Sequence, residues 1–441
     1  MASVASVAQA EDESVATGRT MAPQHPPSTL ECATILGPPL KNSGPAWQCD
    51  WSRNGSLLAV CFGAPNPCVR IWKLCLGSNH DPDTDNNNED SHYWGLVATL
   101  AGVHERTIRS VAFCPSNSTG TTILACASFD GTVTIWQNFA DDSSNSTLLS
   151  PEIKAFSNES DNFPRNETKT NEPQQEWECV AQLEGHENEV KCVAWNTAGS
   201  LLATCGRDKS VWVWECFLSG TVGGANDANG EDEDFECLAV LQGHEGDVKT
   251  VVFAPSHGMW GDGDEILLSA SYDDTIKVWA EDGGDWYCAA TLDSAVHTDT
   301  IWALALAPGG VRLVSGSADH SLAVWKCYTP SEVAQLFPDE TGPVFKCVGK
   351  LPDAHDRAVY SIHCAPSRVG HGRIASAGAD NAIHIYAEVL GKSSDQPLFT
   401  LDATAQLDQD INCIQWHPRD GTLLASTGDD GTVRLWNYQI S

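Results

Sequence analysis

Apolar positions recur along the chain in a fixed grouping. His186 is followed by Val190, Val193 and Trp195, and His244 by Val248, Val251 and Phe253, so apolar residues stand four, seven and nine places after the histidine. His104, His297 and His355 head the same pattern. Two more copies keep the apolar positions without the histidine: Ala46, Cys49 and Trp51 near the start, and Ile411, Ile414 and Trp416 near the end. The closing two-residue step is the period of a half-buried strand. Downstream of each copy, an aspartate precedes by six places an aromatic that ends a β-forming run. The pairs are Asp130/Trp136, Asp208/Trp214, Asp273/Trp279, Asp319/Trp325, Asp380/Tyr386 and Asp430/Trp436, with a degenerate first copy at Asn66/Trp72. Each unit holds four short β-rich runs parted by Gly, Asp, Asn or Ser, the residues that make turns. The pattern predicts an all-β chain of seven repeats.

Successive closing aromatics lie between 46 residues apart (Trp279 to Trp325) and 78 apart (Trp136 to Trp214). The longer intervals contain polar, acidic inserts. Without them the units approach the roughly 40–45 residues of WD40 repeats, which open on Gly-His and end on Trp-Asp-like sequences. Gly185-His186 and Gly243-His244 are literal matches. The chain therefore resembles a seven-bladed WD40 β-propeller spanning 30–441. Residues 30–37, "LECATILG", match the runs "WECVAQLEG" and "FECLAVLQG" that precede two of the histidines. This places the N-terminal run as the outermost strand of the last blade, closing the ring and leaving only short edges.

Charge adds the loops to this picture. The chain carries a formal net charge of −34. Residues 78–92 and 218–234 each hold five acids and no Lys or Arg, and residues 140–176 hold eight acids against three bases. Such segments cannot bury a core and read as solvated insertions. Residues 1–29, with three acids and one arginine, read as a disordered tail without the order of a secretory signal. An acidic chain of this kind is a poor ligand for a nucleic-acid backbone, and no apolar run is long enough to span a bilayer.

The 17 cysteines contain no Cys-x-x-Cys pair, which removes the strongest zinc and redox signatures. Cys179, Cys237, Cys288 and Cys347 recur just upstream of repeats and read as small hydrophobes in strands. Cys205 reads the same way. An iron–sulfur cluster bound by the chain itself would need a compact set of four cysteines, which is missing.

A histidine, a hydroxyl and an aspartate also recur together: His186, Thr204 and Asp208 with Trp214; His244, Ser269 and Asp273 with Trp279; His297, Ser315 and Asp319 with Trp325. A nucleophilic triad occurs once, in one cleft. Repetition from unit to unit, and the equivalent groups of WD40 proteins, imply a buried hydrogen-bond network linking the strands of a blade. The second unit places Cys126 at the hydroxyl position and the seventh lacks the histidine, so those blades are expected to depend more on packing. No phosphate-binding, nucleophile-elbow or zinc-protease motif is present. The reading is a protein that is not an enzyme and needs no cofactor or metal.

A propeller alone fits many binding tasks, including an adaptor in a ubiquitin ligase or on chromatin. The text of residues 183–215, of "LLSASYDDTIKVW" and "GDWYCAATL" in the fourth unit, and of "HERTIRSVAFCP" in the second goes further. It closely resembles the WD40 protein family of the cytosolic iron–sulfur protein assembly (CIA) targeting complex. The resemblance implies a cytoplasmic scaffold, with clients in the nucleus as well, that supports [4Fe–4S] insertion into apo-proteins. Its implied partners are a MIP18-family protein, a HEAT-repeat adaptor, a hydrogenase-like iron–sulfur carrier and apo iron–sulfur clients, without direct nucleic-acid or membrane contact. It also implies a functionally important arginine in the turn before the third unit's aspartate, which falls on Arg207. The equivalent turn positions are Phe129, Tyr272, Ala318, Ala379 and Asp429, and a second recurring position holds Arg109, Lys191 and Lys249. Blades two to four are thus expected to present a basic and aromatic docking surface: Arg207, Tyr272, Phe129, Arg109, Lys191 and Lys249. Arg207 shows no structural duty in the sequence.

Overall fold

In the computed structural model, the described residues are 28–37, 44–77, 91–115, 121–138, 177–218, 234–366, 372–389, 391, 393 and 395–440. They form seven four-stranded antiparallel sheets, each made of strands consecutive in sequence except the last. In blade three the inner strand Val190–Trp195 is followed outward by Leu201–Gly206, Val211–Phe217 and Asp234–Leu241. Second strands are enclosed on both faces, and Leu57–Phe62, Thr122–Ser128 and Leu423–Gly428 are buried at every residue. This explains their runs of Leu, Ala, Val and Cys. Outer strands mix half-buried and exposed positions, as expected for a strand with one wet face.

The last blade is completed from the other end of the chain. Thr29–Ile35 pairs with Val433–Gln439, Cys32 opposite Trp436, and the Leu36 amide donates to the Val433 carbonyl at 2.8 Å. The strand begins at Thr29, one residue before the expected boundary, and Ser28 is already buried and donates to Asp402. The rest of the expected tail, 1–27, lies outside the described residues. So do 78–90, 140–176 and 219–233 of the acidic insertions, whereas Ser91 and Asp234 open outer strands.

The turn carrying the recurring aspartate explains the aspartate itself. Its carboxylate accepts the amide of the residue two places on, as in Asp208 with Ser210 at 3.1 Å and Asp273 with Thr275 at 3.1 Å. The residue between them takes a left-handed conformation: Gly131, Lys209, Asp274, His320, Asn381 and Gly431 have φ from +62° to +91°. Glycine adopts this freely and the others do so at a cost.

Blades are joined around the axis by inner-strand side chains that accept amides of the next blade. Gln48 accepts from Val111, Asp50 from Phe113, Ser110 from Val193, Ser361 from Ile414 and His363 from Trp416, at 2.8–3.1 Å. These groups line a central channel of about 490 Å³.

Candidate functional site

The histidine networks lie inside the blades. His186 Nδ1 is 2.7 Å from Asp208 and Nε2 is 2.8 Å from Thr204 Oγ1, which accepts from Trp214 Nε1 at 3.1 Å. His244, Ser269, Asp273 and Trp279 repeat this at 2.7–2.9 Å, and His297, Ser315, Asp319 and Trp325 at 2.7–3.1 Å. Burial alone would raise the Asp208 carboxyl, but the hydrogen bond and charge of His186 together with the hydrogen bonds from Ser210 outweigh it and draw it down to about 2. The His186, His244 and His297 side chains are at most 2% exposed. They brace strands and cannot meet a substrate.

Blades two and seven depart from the sequence reading, and blade six varies the network. In blade two, Cys126 does not fill the hydroxyl role and the blade is not left to packing. Thr134, its cross-strand partner, bonds His104 at 2.9 Å and accepts from Trp136 at 2.9 Å. The hydroxyl has moved to the facing strand, at a point invisible to an alignment that keeps columns fixed. In blade seven, Arg434 takes the missing histidine's electrostatic role, reaching Asp430 at 2.5 Å, while Trp436 still donates to Ser426. In blade six, Tyr386 donates to the Ala354 carbonyl rather than to Ser376, which His355 holds.

The repeat-position cysteines also correct an expectation. Cys179, Cys237 and Cys288 are exposed and Cys347 is half-buried. They stand on outer strands opposite the blade tryptophan at a β-bulge, where the side chain faces solvent. Cys205 is fully buried. Among the described residues, no group of three or more His, Cys, Asp or Glu is placed to hold a metal ion.

The expected docking residues gather on one face, around one mouth of the channel. In each of blades two to seven the amide of the residue before the signature aspartate donates to the carbonyl just ahead of the inner strand: Phe129 to Thr107, Arg207 to Glu189, Tyr272 to Asp247, Ala318 to Thr300, Ala379 to Ala358 and Asp429 to Asp410. Two residues beyond those carbonyls stand Arg109, Lys191, Lys249, Trp302, Tyr360 and Asn412, all lining the channel. Cations and rings then interlock between blades. Lys191 Nζ lies 4.2 Å from the Phe129 ring, Lys249 Nζ lies 4.2 Å from Tyr272 and 4.5 Å from Trp302, and the Arg109 guanidinium lies 5.0 Å from Trp47. Trp302 meets Tyr360 edge-on at 5.2 Å. The crescent thus runs beyond blades two to four.

Glu189 is the hub of its cationic side. It binds Lys191 at 2.6 Å and Arg106 at 2.7 Å, and Arg207 stands at 3.6 Å. Burial would raise the Glu189 carboxyl, but hydrogen bonds from Lys191 and Arg106 outweigh this and hold it below the ordinary range. Arg207 therefore does have a local duty, yet its side chain remains 56% exposed, as Tyr272 is half exposed. Lys249 is mostly enclosed; burial, then the neighbouring Lys191, lowers it to about 8, with Asp247 opposing and Arg109 adding. On the side of blades two and three, Arg106, Lys191 and Arg207 share Glu189, while Lys249 has Asp247 at 3.9 Å. Such a surface suits a partner bringing acids and apolar anchors, since Arg and aromatics commonly dominate interfaces. The sequence reading misses Trp47, Arg106, Glu189, Trp302 and Tyr360. Three of them, Trp47, Trp302 and Tyr360, occupy the Lys191 position in other blades, so that column is legible once rings are counted alongside charges.

The chain matches the family model described as "WD domain, G-beta repeat" over residues 94–137, 177–215, 235–280, 286–326 and 395–437. It is 32% identical to a protein of Chaetomium globosum named "Probable cytosolic iron-sulfur protein assembly protein 1", over 78% of this chain and 86% of that protein. A protein of the same name from Scheffersomyces stipitis is 32% identical over 90% and 97% of the two chains. One from Vanderwaltozyma polyspora is 35% identical over 76% and 82%. No helix among the described residues is long and apolar enough to cross a membrane.

Proposed function

The chain belongs to the WD40-repeat family of the cytosolic iron-sulfur protein assembly protein 1 relatives, and on that premise we propose that it is a scaffold of the CIA targeting complex. It docks partner and client proteins for [4Fe–4S] insertion into cytosolic and nuclear apo-proteins and performs no chemical step itself. The observation that carries the docking role is the interlocked face around the channel mouth, held in place by turns tied to inner strands. Arg207, Tyr272 and Phe129 supply its exposed anchors, and Arg109, Lys191 and Lys249 supply its inner cations. A rigid face loses little conformational freedom on binding, which favours specific recognition by a few residues. The partners on this reading are a MIP18-family protein, a HEAT-repeat adaptor, a hydrogenase-like iron–sulfur carrier and apo clients, met in the cytoplasm.

The test is affinity purification of the wild type and of Arg207→Ala and Tyr272→Ala from cells, with each variant's fold checked by thermal melting. Iron–sulfur proteins and the MIP18-family partner co-purify with the wild type, and recovery of at least one falls roughly 30-fold for an anchor of about 2 kcal/mol. Ubiquitin-ligase or chromatin partners in their place would overturn the pathway. Unchanged recovery with both variants would overturn the face.

A further inference from the structure

The ring closes where blade seven meets blade one, and two thiols face each other across that seam. Cys49 lies on the inner strand Ala46–Trp51 of blade one and Cys413 on the inner strand Ile411–Trp416 of blade seven. They are 364 positions apart in sequence, yet their sulfurs are 3.9 Å apart, and Cys413 Sγ is 3.8 Å from the Cys49 carbonyl oxygen. The two differ in access. Cys413 is among the residues lining the central channel, whereas Cys49 is sealed among Trp51, Leu58, Val60 and Phe62.

They differ in chemistry as well. The Cys49 S–H donates to the Cys413 sulfur, and this bond, with Ser361 and the nearby Arg109 charge, holds the Cys413 thiol below its ordinary value against the opposing effect of burial. The same hydrogen bond, burial and the charge of Asp50 push Cys49 up. Cys413 is therefore the readier of the two to lose its proton, and the thiolate is the nucleophilic form. A buried thiol pair remote from solvent is ordinarily inert packing. Here Cys413, though only 3% exposed, is a residue of the channel wall, and its neighbour is within reach.

We propose that Cys413 and Cys49 are a redox-responsive pair, in which a peroxide entering the channel oxidises Cys413 and Cys49 resolves the product into a disulfide joining blade seven to blade one. The Cys413 thiolate attacks one peroxide oxygen, the O–O bond breaks, and the released hydroxide takes up the thiol's proton as water. The sulfenic acid left on Cys413 is attacked by the Cys49 sulfur, and the departing hydroxide carries off the Cys49 proton as a second water. Two thiols thus lose two electrons and two protons, and one peroxide becomes two waters. Closing the sulfurs to the roughly 2.05 Å of a disulfide needs a movement of about 1.9 Å, shared between two side chains. The product is a covalent clasp across a seam otherwise held by noncovalent contacts, among them Asn412 to the Ala46 carbonyl, His417 to the Gly55 carbonyl and a shared apolar cluster.

The test uses the full reduced chain treated with stoichiometric hydrogen peroxide, quenched with catalase, alkylated and digested for mass spectrometry without reductant. The expected result is a peptide linking Cys49 to Cys413, removed by dithiothreitol, in a protein whose melting midpoint has risen by several degrees because the link closes a very long loop. Both cysteines fully alkylated while Cys179, Cys237 or Cys288 is oxidised would overturn the proposal. A link formed only after denaturation would do the same. With Cys49→Ala, dimedone should trap Cys413 as its sulfenic acid, and with Cys413→Ala, Cys49 should stay unmodified. Equal oxidation of Cys49 in the second variant would refute the assigned order. The wild-type measurement stands even if a variant folds poorly.

Discussion

Replacing Thr134 by valine separates the two accounts of blade two. The side chains are nearly the same shape, so the change removes an oxygen rather than a volume. That oxygen donates to His104 Nε2 and accepts from Trp136 Nε1, each at 2.9 Å, while His104 Nδ1 donates to Asp130 at 2.8 Å. With valine, a tryptophan N–H and an imidazole nitrogen are both left without partners in a buried blade. Each unsatisfied buried group costs about 1–3 kcal/mol, so the loss from two is about 2–6 kcal/mol. Truncation of Cys126 to alanine instead loses one buried sulfur and should cost about 1 kcal/mol. Urea unfolding followed by tryptophan fluorescence measures both. If Thr134→Val costs less than Cys126→Ala, the hydroxyl is not the joint of this blade and the reasoning fails.

Three further perturbations test the fold's electrostatics and turns. Asp50 is buried, and burial outweighs the amides of Phe113 and Trp51 to raise it to about 7. A raised acid stabilises the fold at low pH, and that stability is lost as pH climbs from about 4 through 7. Asp50→Asn should therefore gain at most about 4 kcal/mol over the wild type at pH 8, with the gap vanishing near pH 4 in melts across that range. Asp208 has the opposite sign: its lowered carboxyl stabilises above about 4 and loses that contribution as pH falls through about 2. Asp208→Asn should cost about 2 kcal/mol at pH 7 and little at pH 2, and an acid titration that leaves the difference constant would refute this. Lys209 sits at φ +68°, and Lys209→Gly should raise the unfolding free energy by about 0.5–1 kcal/mol; a loss would show that its side chain is needed there.

Much of the site was legible before any coordinates because a propeller repeats its local chemistry. Asp208 and Trp214, six places apart, fix a turn and a blade-closing strand, and the same interval in other units carried the same meaning. The expected docking residues form columns of that repeat, and the structure places Arg207, Tyr272, Phe129, Arg109, Lys191 and Lys249 around one mouth. What escaped was whatever crosses columns. Thr134 serves a network from the strand opposite Cys126, and Arg434 replaces a histidine from a different strand altogether. Glu189 gathers Arg106, Lys191 and Arg207 from two blades. No interval in the sequence encodes such meetings.

The sequence by itself determined the period, the number of blades, the turn positions and the strand that closes the ring. These follow from alternation and turn chemistry, which act over a few residues and are written locally. Tertiary structure alone decided which cations share an acid, which rings stack on them, and that Cys49 and Cys413 meet although 364 positions apart. Those outcomes depend on bending the sheet array into a closed ring, since only closure brings first and last blades together and turns one strand position into the rim of a channel.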